Sequence, residues 1–243
     1  MNKKPAALIA LSLAVLACIV EISLTERLSF SRVPHGKSAR AAIAIRDNVS
    51  AFEKWGSKQF TEPYLNRYYD AAWYFTQCDS DKCEREFSAT IDRALERYPQ
   101  VDLFILAHTN SFLTWMKKLS PERRAHLRLV YNTGCYNLPQ GAEWLKLGAK
   151  ACVGHPGESD SPFFYFYFLR RWTRGEPLQS ALDESNALMQ TTVRRAEFFS
   201  FGKVNAAKII KNTEASLQGD GQLRIATENE GSLAREHHDD GAR

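Results

Sequence analysis

Five short apolar runs, each separated from the next by a helical pattern, constrain the fold of this chain more than any other feature. The runs cover residues 39–45, 67–75, 101–107, 127–133 and 149–155. Strands that are apolar almost throughout are typical of parallel sheets, because helices cover both faces of such sheets. The sequence therefore predicts an α/β fold with a mostly parallel sheet of about five strands and helices on both faces.

Helical patterns fill the segments between the runs. Asp81 and Glu84 have the spacing of a capping box, and the apolar residues after them recur at helical spacing, which predicts a helix over 82–98. Further helices are predicted over 48–60, 112–126, 138–148, 161–175 and 176–199. We expect Pro121 to interrupt the second of these, because proline removes a backbone donor and clashes inside a helix.

The N-terminus has the pattern of an export signal. Lys3 and Lys4 precede an apolar stretch over 6–20, which is shorter than the roughly 20 residues of a membrane span and suits the core of a signal peptide. In "VLAC" the residues before Cys18 resemble the lipobox of bacterial lipoproteins, although Leu16 departs from that pattern. An uncleaved signal anchor is the alternative. Both alternatives predict a protein that is exported to the cell envelope and held at a membrane through its N-terminus.

The same patterns divide the chain into four parts. Residues 1–20 are predicted to be a signal peptide or membrane anchor, and 21–38 a polar tether. Residues 39–217 are predicted to form the α/β domain. The polar, Gly-rich tail over 218–243 is predicted to be disordered apart from a short "QLRIAT" segment.

Composition and absent motifs narrow the function. The net charge of +4 is spread along the chain, and no basic block alternates with aromatic residues, so nucleic acid is not a predicted partner. The sequence contains no Walker A, GxGxxG, HExxH or GxSxG motif. Position 141 is Gly, whereas a phosphatase loop built on Cys135 would need Arg there. No cofactor and no metal is predicted.

The cysteines fall into different predicted roles. Cys78 and Cys83 lie close together in a polar loop that leads into a helix, and in an exported protein this placement predicts a disulfide. A metal site is disfavoured because no second Cys or His pair accompanies them. Cys152 lies within an apolar run and is predicted to be a buried, unreactive thiol. Cys135 has no evident partner.

Two polar loops follow consecutive predicted strands, and each carries a residue capable of chemistry. "VDLFILAH" ends in His108, and "LRLVYNTGC" ends in Cys135. Ligands of parallel sheets bind at the carboxyl ends of the strands. An imidazole beside a thiol can take its proton and later protonate a leaving group. Gly134 is expected to let the chain bend before the thiol, and the N–H groups of this loop could bind an oxyanion.

At this point the chain resembles a known family. The order of "DLFILAH", "LRLVYNTGCYN", "WLKLGAKACVGH" and "FFYFYFLRRWTRGEPLQSAL" is similar to that in the caspase–hemoglobinase fold of clan CD cysteine peptidases, and most similar to the CHAT branch. In that family one strand ends in the catalytic His and a later, adjacent strand ends in the catalytic Cys. The resemblance covers roughly residues 40–200.

The resemblance implies His108 as general base and acid, Cys135 as nucleophile, and a peptide or protein as substrate. In the family a Gly follows the His and its amide helps to bind the oxyanion, whereas Thr109 stands at that position here. A non-catalytic envelope lipoprotein of the same fold, which binds a peptide or a protein partner, is the alternative function. An unrelated doubly wound domain whose His and Cys pair is accidental is a third possibility.

The loop "GHPGESDSP" after the fifth run is predicted, by the same resemblance, to shape the substrate pocket. His155 follows that strand on the same edge of the sheet. Glu158 and Asp160 would favour Arg or Lys before the cleaved bond, since opposite charges attract strongly in a partly desolvated cleft. Asp160 would equally suit a cap of the helix that begins near Pro162, and its role stays open.

Overall fold

The computed structural model describes residues 38–46, 58, 61–76, 81–106, 111–159 and 161–225. All of these residues belong to one compact unit, His35–Arg243. The predicted signal segment, the tether and the predicted helix over 48–60 fall outside the described residues, apart from Ser38 and Lys58. Across the described ranges, no helix is long and apolar enough to cross a bilayer.

A six-stranded sheet forms the centre of the described domain. Its strands are β1 Ser38–Arg46, β2 Tyr69–Thr76, β3 Val101–Leu106, β4 Leu127–Asn132, β5 Ala151–Gly154 and β6 Ser216–Gly219. They lie in the order β2-β1-β3-β4-β5-β6. The first five strands are parallel, and β6 pairs antiparallel with β5 at the edge. The predicted α/β class with a mostly parallel sheet is confirmed.

Eight described α-helices surround this sheet or connect its strands. They are α1 Glu62–Tyr68, α2 Asp81–Arg97, α3 Ser111–Lys117, α4 Pro121–Arg124, α5 Gly141–Lys146, α6 Ser161–Trp172, α7 Leu178–Phe199 and α8 Ala206–Thr213. A 3-10 turn, Leu138–Gln140, leads into α5. Pro121 separates α3 from α4 as predicted, because it begins the second helix after the Ser120 cap.

The first face of the sheet is covered by α2, α3 and α5. Phe87 of α2 lies at the centre of this core, and its ring centroid is 5.7 Å from those of both Phe112 and Trp115. Phe112 and Trp115 meet edge to face with centroids 4.9 Å apart. Edge-to-face contacts of this kind stabilise aromatic clusters beyond the area that they bury.

The second face is covered by α6 and α7. Phe168 of α6 packs on Tyr131 of β4 with ring centroids 4.6 Å apart, and it stacks on Trp172 at 5.9 Å. The buried residues of α7 recur at the spacing of one helix face: Leu178, Ala181, Leu182, Ser185, Asn186 and Met189. Both faces of the sheet are therefore closed, as the apolar strands predict.

A buried ion pair joins β3 to β4 beneath α6. The Arg128 Nε donates to Asp102 Oδ1 at 2.8 Å, and a second contact joins the same two side chains. Tyr69 donates to Asp102 Oδ2 at 2.6 Å and accepts from Trp172 Nε1 at 2.9 Å. Burial, with the Asp102 charge as the next cause, raises the pKa of Tyr69 well above its usual value. Its phenol therefore stays protonated and able to donate.

The domain extends past its predicted end. The predicted boundary at residue 217 falls inside β6, and Ile225, which belongs to the predicted "QLRIAT" segment, is buried. β6 has the polar sequence "SLQG" and is held through backbone pairing with β5 rather than by an apolar pattern. Gly219 is required there: its φ is +97°, and a Cβ would lie 2.3 Å from the Lys150 carbonyl oxygen.

The Asp102–Arg128 pair gives a stability prediction. Asp102→Ala should lower the free energy of unfolding by about 3–5 kcal/mol, because it leaves a buried guanidinium without its counter-ion. The double variant Asp102→Leu/Arg128→Met should recover part of that loss, since neither buried charge remains. Denaturant unfolding of these variants, and of Asp102→Leu and Arg128→Met alone, measures this.

The matched control is Arg123→Met, which breaks the exposed ion pair with Glu96 and should change stability little. A double variant that loses as much stability as the sum of its single variants would contradict the proposed coupling.

Candidate active site

The two strands that precede the predicted dyad are neighbours. β3 and β4 pair in parallel, with Ile105 opposite Asn132 near their carboxyl ends. The predicted adjacency of these strands is therefore confirmed. His108 and Thr109 lie outside the described residues, so their positions stay predictions.

Cys135 lies in a tight loop directly after β4. Its thiol is free and partly exposed. The Gly134 N–H donates to Asn132 Oδ1 at 2.9 Å. The Asn137 amide donates to the carbonyl oxygens of Asn132 at 3.1 Å and Gly134 at 2.5 Å. Asn137 thus closes the loop across its base and fixes the backbone on both sides of the thiol.

One expectation about Gly134 needs correction. Its N–H is already used within the loop, so it is not a free oxyanion donor in this structure. The left-handed residue of the loop is Tyr136, with a φ of +54°. The loop therefore bends at Gly134, before the thiol, as predicted, and turns again at Tyr136 after it. Tyr136 is also 61% exposed, so an aromatic ring lies at the surface next to Cys135.

The Cys135 loop is bonded to the loop after β5. The Tyr136 N–H donates to the Gly157 carbonyl at 3.0 Å, and the Leu138 N–H donates to the His155 carbonyl at 3.1 Å. In return, the His155 N–H donates to Asn137 Oδ1 at 2.9 Å. These bonds make the two loops one rigid unit at the carboxyl edge of the sheet.

At Gly154 the end of β5 lies in close contact with the Cys135 loop. A Cβ on Gly154 would lie 2.6 Å from Asn137 Oδ1 and 3.0 Å from the Leu138 Cα. Any side chain there would push the two loops apart. A glycine at the end of β5 is therefore part of the geometry that holds Cys135.

His155 is a structural residue and does not line an open pocket. Its side chain is fully buried, and its Nδ1 lies 2.6 Å from the carbonyl oxygen of Thr213 at the end of α8. Because a carbonyl only accepts, Nδ1 carries the proton. Burial lowers the pKa of His155 to about 4. The imidazole is thus neutral at pH 7 and joins the site loop to α8.

The other predicted pocket residues differ in placement. Glu158 is exposed, and its backbone carbonyl accepts from Thr213 Oγ1 at 3.0 Å. Asp160 lies outside the described residues. Glu158 is therefore available to solvent, and its role toward a substrate stays a prediction.

Arg46 is a buried arginine at the carboxyl edge of the sheet that the sequence patterns did not indicate. It ends β1 in register with Leu106 of β3, at the same edge of the sheet as Cys135. Its side chain is only 9% exposed, and its Nε and Nη1 have no hydrogen-bond partner within the described ranges. A buried guanidinium with open donors is costly unless it is paired. No sequence signal indicates such a residue, because an arginine at a strand end is usually solvated.

The remaining cysteines do not form a second reactive site in the described structure. Cys152 is buried within β5, and burial raises the pKa of its thiol to about 12. Cys83 is buried and is not among the free thiols, whereas Cys78 lies outside the described residues. The Cys78–Cys83 disulfide stays a prediction. The described ranges contain no cluster of three His, Cys, Asp or Glu residues arranged to hold a metal.

One cavity of about 290 Å³ lies away from this edge. It is formed by α1 and β2, and its lining includes Leu65, Asn66 and Trp73. β2 is the outermost strand of the sheet, three positions away from β4. This cavity therefore has no part in a site built on Cys135.

Comparison with known proteins gives a similarity of fold. No protein-family model matches the sequence, and no curated protein matches it significantly. Among solved structures, the chain is similar to the crystal structure of drICE, a caspase. The two share 9% sequence identity and a TM-score of 0.46, over 79% of this chain and 92% of that one. The similarity assigns no role to any residue.

The buried His155 gives a pH prediction. Its pKa is about 4 in the folded chain and about 6.5 in an unfolded one. The unfolded chain therefore binds the proton more readily, and stability is lost as pH falls from 6.5 towards 4. The loss should reach about 3 kcal/mol from this residue alone.

Denaturant unfolding at several pH values between 7 and 4 measures this loss. His155→Asn keeps a donor near the Thr213 carbonyl but does not titrate, so its stability should fall less over the same range. Identical pH slopes for the two proteins would contradict the assignment of a depressed pKa to His155.

Proposed function

We propose that the chain is a cysteine peptidase of caspase-like architecture, with Cys135 as nucleophile and His108 as general base and acid. The observation that carries the proposal is the free, partly exposed thiol of Cys135 at the carboxyl end of β4. β4 lies beside β3, the strand that leads into His108. The predicted dyad therefore draws its two members from the ends of neighbouring parallel strands, where such sheets bind ligands.

The proposed chemistry is peptide hydrolysis in two steps. The Cys135 thiolate attacks the carbonyl carbon while His108 holds the thiol proton, and the C–N bond then breaks as His108 passes that proton to the leaving amine. Water next attacks the thioester, gives a proton to His108 and releases the acid, and His108 returns the proton to sulfur. Because the Gly134 N–H is engaged, the N–H groups of Cys135 and Thr109 are the proposed oxyanion donors.

Rigidity of the loop supports a catalytic role for the thiol. The Asn137 bonds and the connection to the His155 loop fix the backbone around Cys135 before any substrate arrives. A nucleophile held in one position avoids the entropy loss of ordering it at the moment of reaction. The exposed Tyr136 ring offers an apolar surface on which a peptide could rest.

Arg46 supports a proposal about the substrate. β1 and β4 are separated only by β3, so the end of β1 lies about 10 Å from the end of β4. The side chain of the residue before the cleaved bond can span that distance. The two unpaired nitrogens of Arg46 suit a carboxylate or amide oxygen. We therefore propose that the enzyme prefers an acidic or amide side chain at this position rather than Arg or Lys.

Export and membrane attachment through residues 1–20 remain part of the proposal on the strength of the sequence alone. The same holds for the Cys78–Cys83 disulfide, which an oxidising compartment would stabilise. The functional alternative is a non-catalytic protein that binds peptides at the same edge.

The dyad is tested by peptide hydrolysis. Cys135→Ala should abolish cleavage of a mixed peptide library, and His108→Ala should lower kcat by about 10²–10⁴-fold. Cys152→Ala is the matched control and should retain activity, because that thiol is buried. Alkylation of Cys135 by iodoacetamide should slow in His108→Ala.

A wild-type chain that cleaves no peptide, and whose Cys135 reacts equally fast with and without His108, would favour the non-catalytic alternative. Loss of activity in Cys152→Ala without loss of folding would also count against the assignment.

The substrate preference is tested with peptides that differ only at the residue before the cut. Arg46→Met keeps the length of the side chain but removes its donors. It should lower kcat/KM for Asp, Glu or Asn at that position by roughly 10–100-fold, because a buried polar partner is lost. Glu158→Gln should have no such effect. Preferential cleavage after Lys or Arg that is lost in Glu158→Gln would instead support a cationic-substrate pocket.

A further inference from the structure

Three of the four large exposed hydrophobic side chains in the described part of the chain lie together at the end of α7. Phe198, Phe199 and Phe201 are 76%, 66% and 93% exposed. The rings of Phe198 and Phe199 meet edge to face with centroids 5.5 Å apart. We refer to these three residues as the aromatic tip. A cluster of exposed apolar side chains marks an interaction site more often than single ones do.

The turn that carries the tip is ordered by its own hydrogen bonds. The Gly202 N–H donates to the Glu197 carbonyl at 3.0 Å, and the Val204 N–H donates to Ser200 Oγ at 3.1 Å. Phe201 has a φ of +54°, a left-handed conformation that is unfavourable for a bulky side chain. The hydrogen bonds of the turn therefore hold Phe201 in an unfavourable backbone conformation, with its ring directed outwards. Such conformations are concentrated at functional positions.

The tip lies beyond the carboxyl edge of the sheet. Asn186 of α7 exchanges two hydrogen bonds with the backbone of Ala215, of 2.8 and 3.0 Å. Ala215 directly precedes the end of β6 that pairs with Gly154, the last residue of β5. Residues 187–199 continue α7 past this level by about 20 Å. The aromatic tip thus projects from the same edge of the domain that carries Cys135.

The segment that carries the tip is rich in basic side chains. The segment 185–213 contains five cationic residues, all exposed: Arg194, Arg195, Lys203, Lys208 and Lys211. Its one acidic residue is Glu197, whose Oε1 accepts the Ala206 N–H at 2.9 Å as α8 begins. The aromatic tip therefore belongs to a segment of net positive charge, and we refer to its five cationic residues as the basic collar.

We propose that the aromatic tip inserts into the interface of a bilayer that contains anionic phospholipid. Phe side chains of interfacial segments are buried at the boundary between headgroups and acyl chains, and nearby Lys and Arg are attracted to the negative surface of such a membrane. With the tip inserted, the carboxyl edge and Cys135 would face the lipid surface. This inference goes beyond the proposed peptidase activity and does not depend on it.

A bilayer suits this surface better than a protein partner does. A protein interface needs a broad complementary face, whereas the tip is a narrow projection of three rings. A second copy of the chain would bring an identical basic collar against the first, which like charges oppose. A lipid surface accepts a projecting ring without a preformed pocket and carries the opposite charge.

The test locates the tip of the full-length chain on vesicles. A fluorophore that responds to polarity is attached at Phe201→Cys in a Cys18→Ser/Cys135→Ser background under non-reducing conditions, with Lys146→Cys as the matched control. Lys146 is exposed at the end of α5, near the opposite edge of the sheet. On phosphatidylcholine vesicles that contain phosphatidylglycerol, the label at 201 should be quenched several-fold more by doxyl-labelled lipid than the label at 146, and less by aqueous iodide.

Two outcomes would overturn the proposal. In the first, iodide quenches both labels and doxyl-labelled lipid quenches neither, which would show that the tip stays in the aqueous phase. In the second, the label at 201 is shielded from iodide without quenching by lipid, which would place it against protein, such as a second copy of the chain.

The basic collar is tested separately. Lys203→Glu/Lys208→Glu should reduce lipid quenching at 201 on vesicles that contain phosphatidylglycerol to the level seen on phosphatidylcholine alone. Arg85→Glu/Arg93→Glu makes the same change in net charge on the exposed side of α2 and should leave quenching unchanged. Equal effects of the two pairs would overturn a specific role for the collar. Neither measurement uses peptidase activity, so failure here leaves the proposed function untouched.

Discussion

The buried pair of Asp102 and Arg128 is the interaction on which the arrangement of the domain depends. The two residues are 26 positions apart and lie on neighbouring strands. A buried ion pair adds little net stability compared with apolar residues, but a buried charge that has lost its partner is very unfavourable. A shift of β4 along β3 would separate the charges and expose each to an apolar core. The pair therefore fixes the register of these two strands, and the register places their carboxyl ends side by side.

The geometry of the Cys135 loop, at the carboxyl edge of the sheet, depends on that register. The Cys135 loop can close only because Asn132 ends β4 next to β3, and Asn137 then links the strand end to the loop after β5. Most of these bonds pair a backbone group with the side chain of Asn132 or Asn137, so two asparagine amides shape the loop. Side chains that face outwards, such as Tyr136, are left free to meet a ligand.

Much of this architecture could be predicted because the spacing of apolar residues indicates which face of a helix or strand is buried. The five parallel strands and the long helices α2 and α7 were predictable for that reason. β6 was not, since a short edge strand is held by backbone bonds and carries no apolar pattern. The burial of Arg46 and His155 could not be predicted either, because it depends on which strands become neighbours. The position of Cys135 at the carboxyl edge could be predicted because the residue directly follows a predicted strand, and parallel sheets bind ligands at that edge; its catalytic role stays a proposal.

A few hydrogen bonds join residues that are far apart in the sequence, and this affects how a newly synthesised chain folds. The site loops are formed by residues 132–158, yet His155 is bonded to Thr213, and Arg128 donates to the carbonyl of Arg224 at 2.6 Å. Thr213 and Arg224, near the end of the domain, thus stabilise residues that are synthesised long before them. A ribosome-bound or truncated chain that lacks this segment would have an unsupported loop around its thiol. The loop around Cys135 would therefore reach its final geometry only after the last segment of the domain has been synthesised.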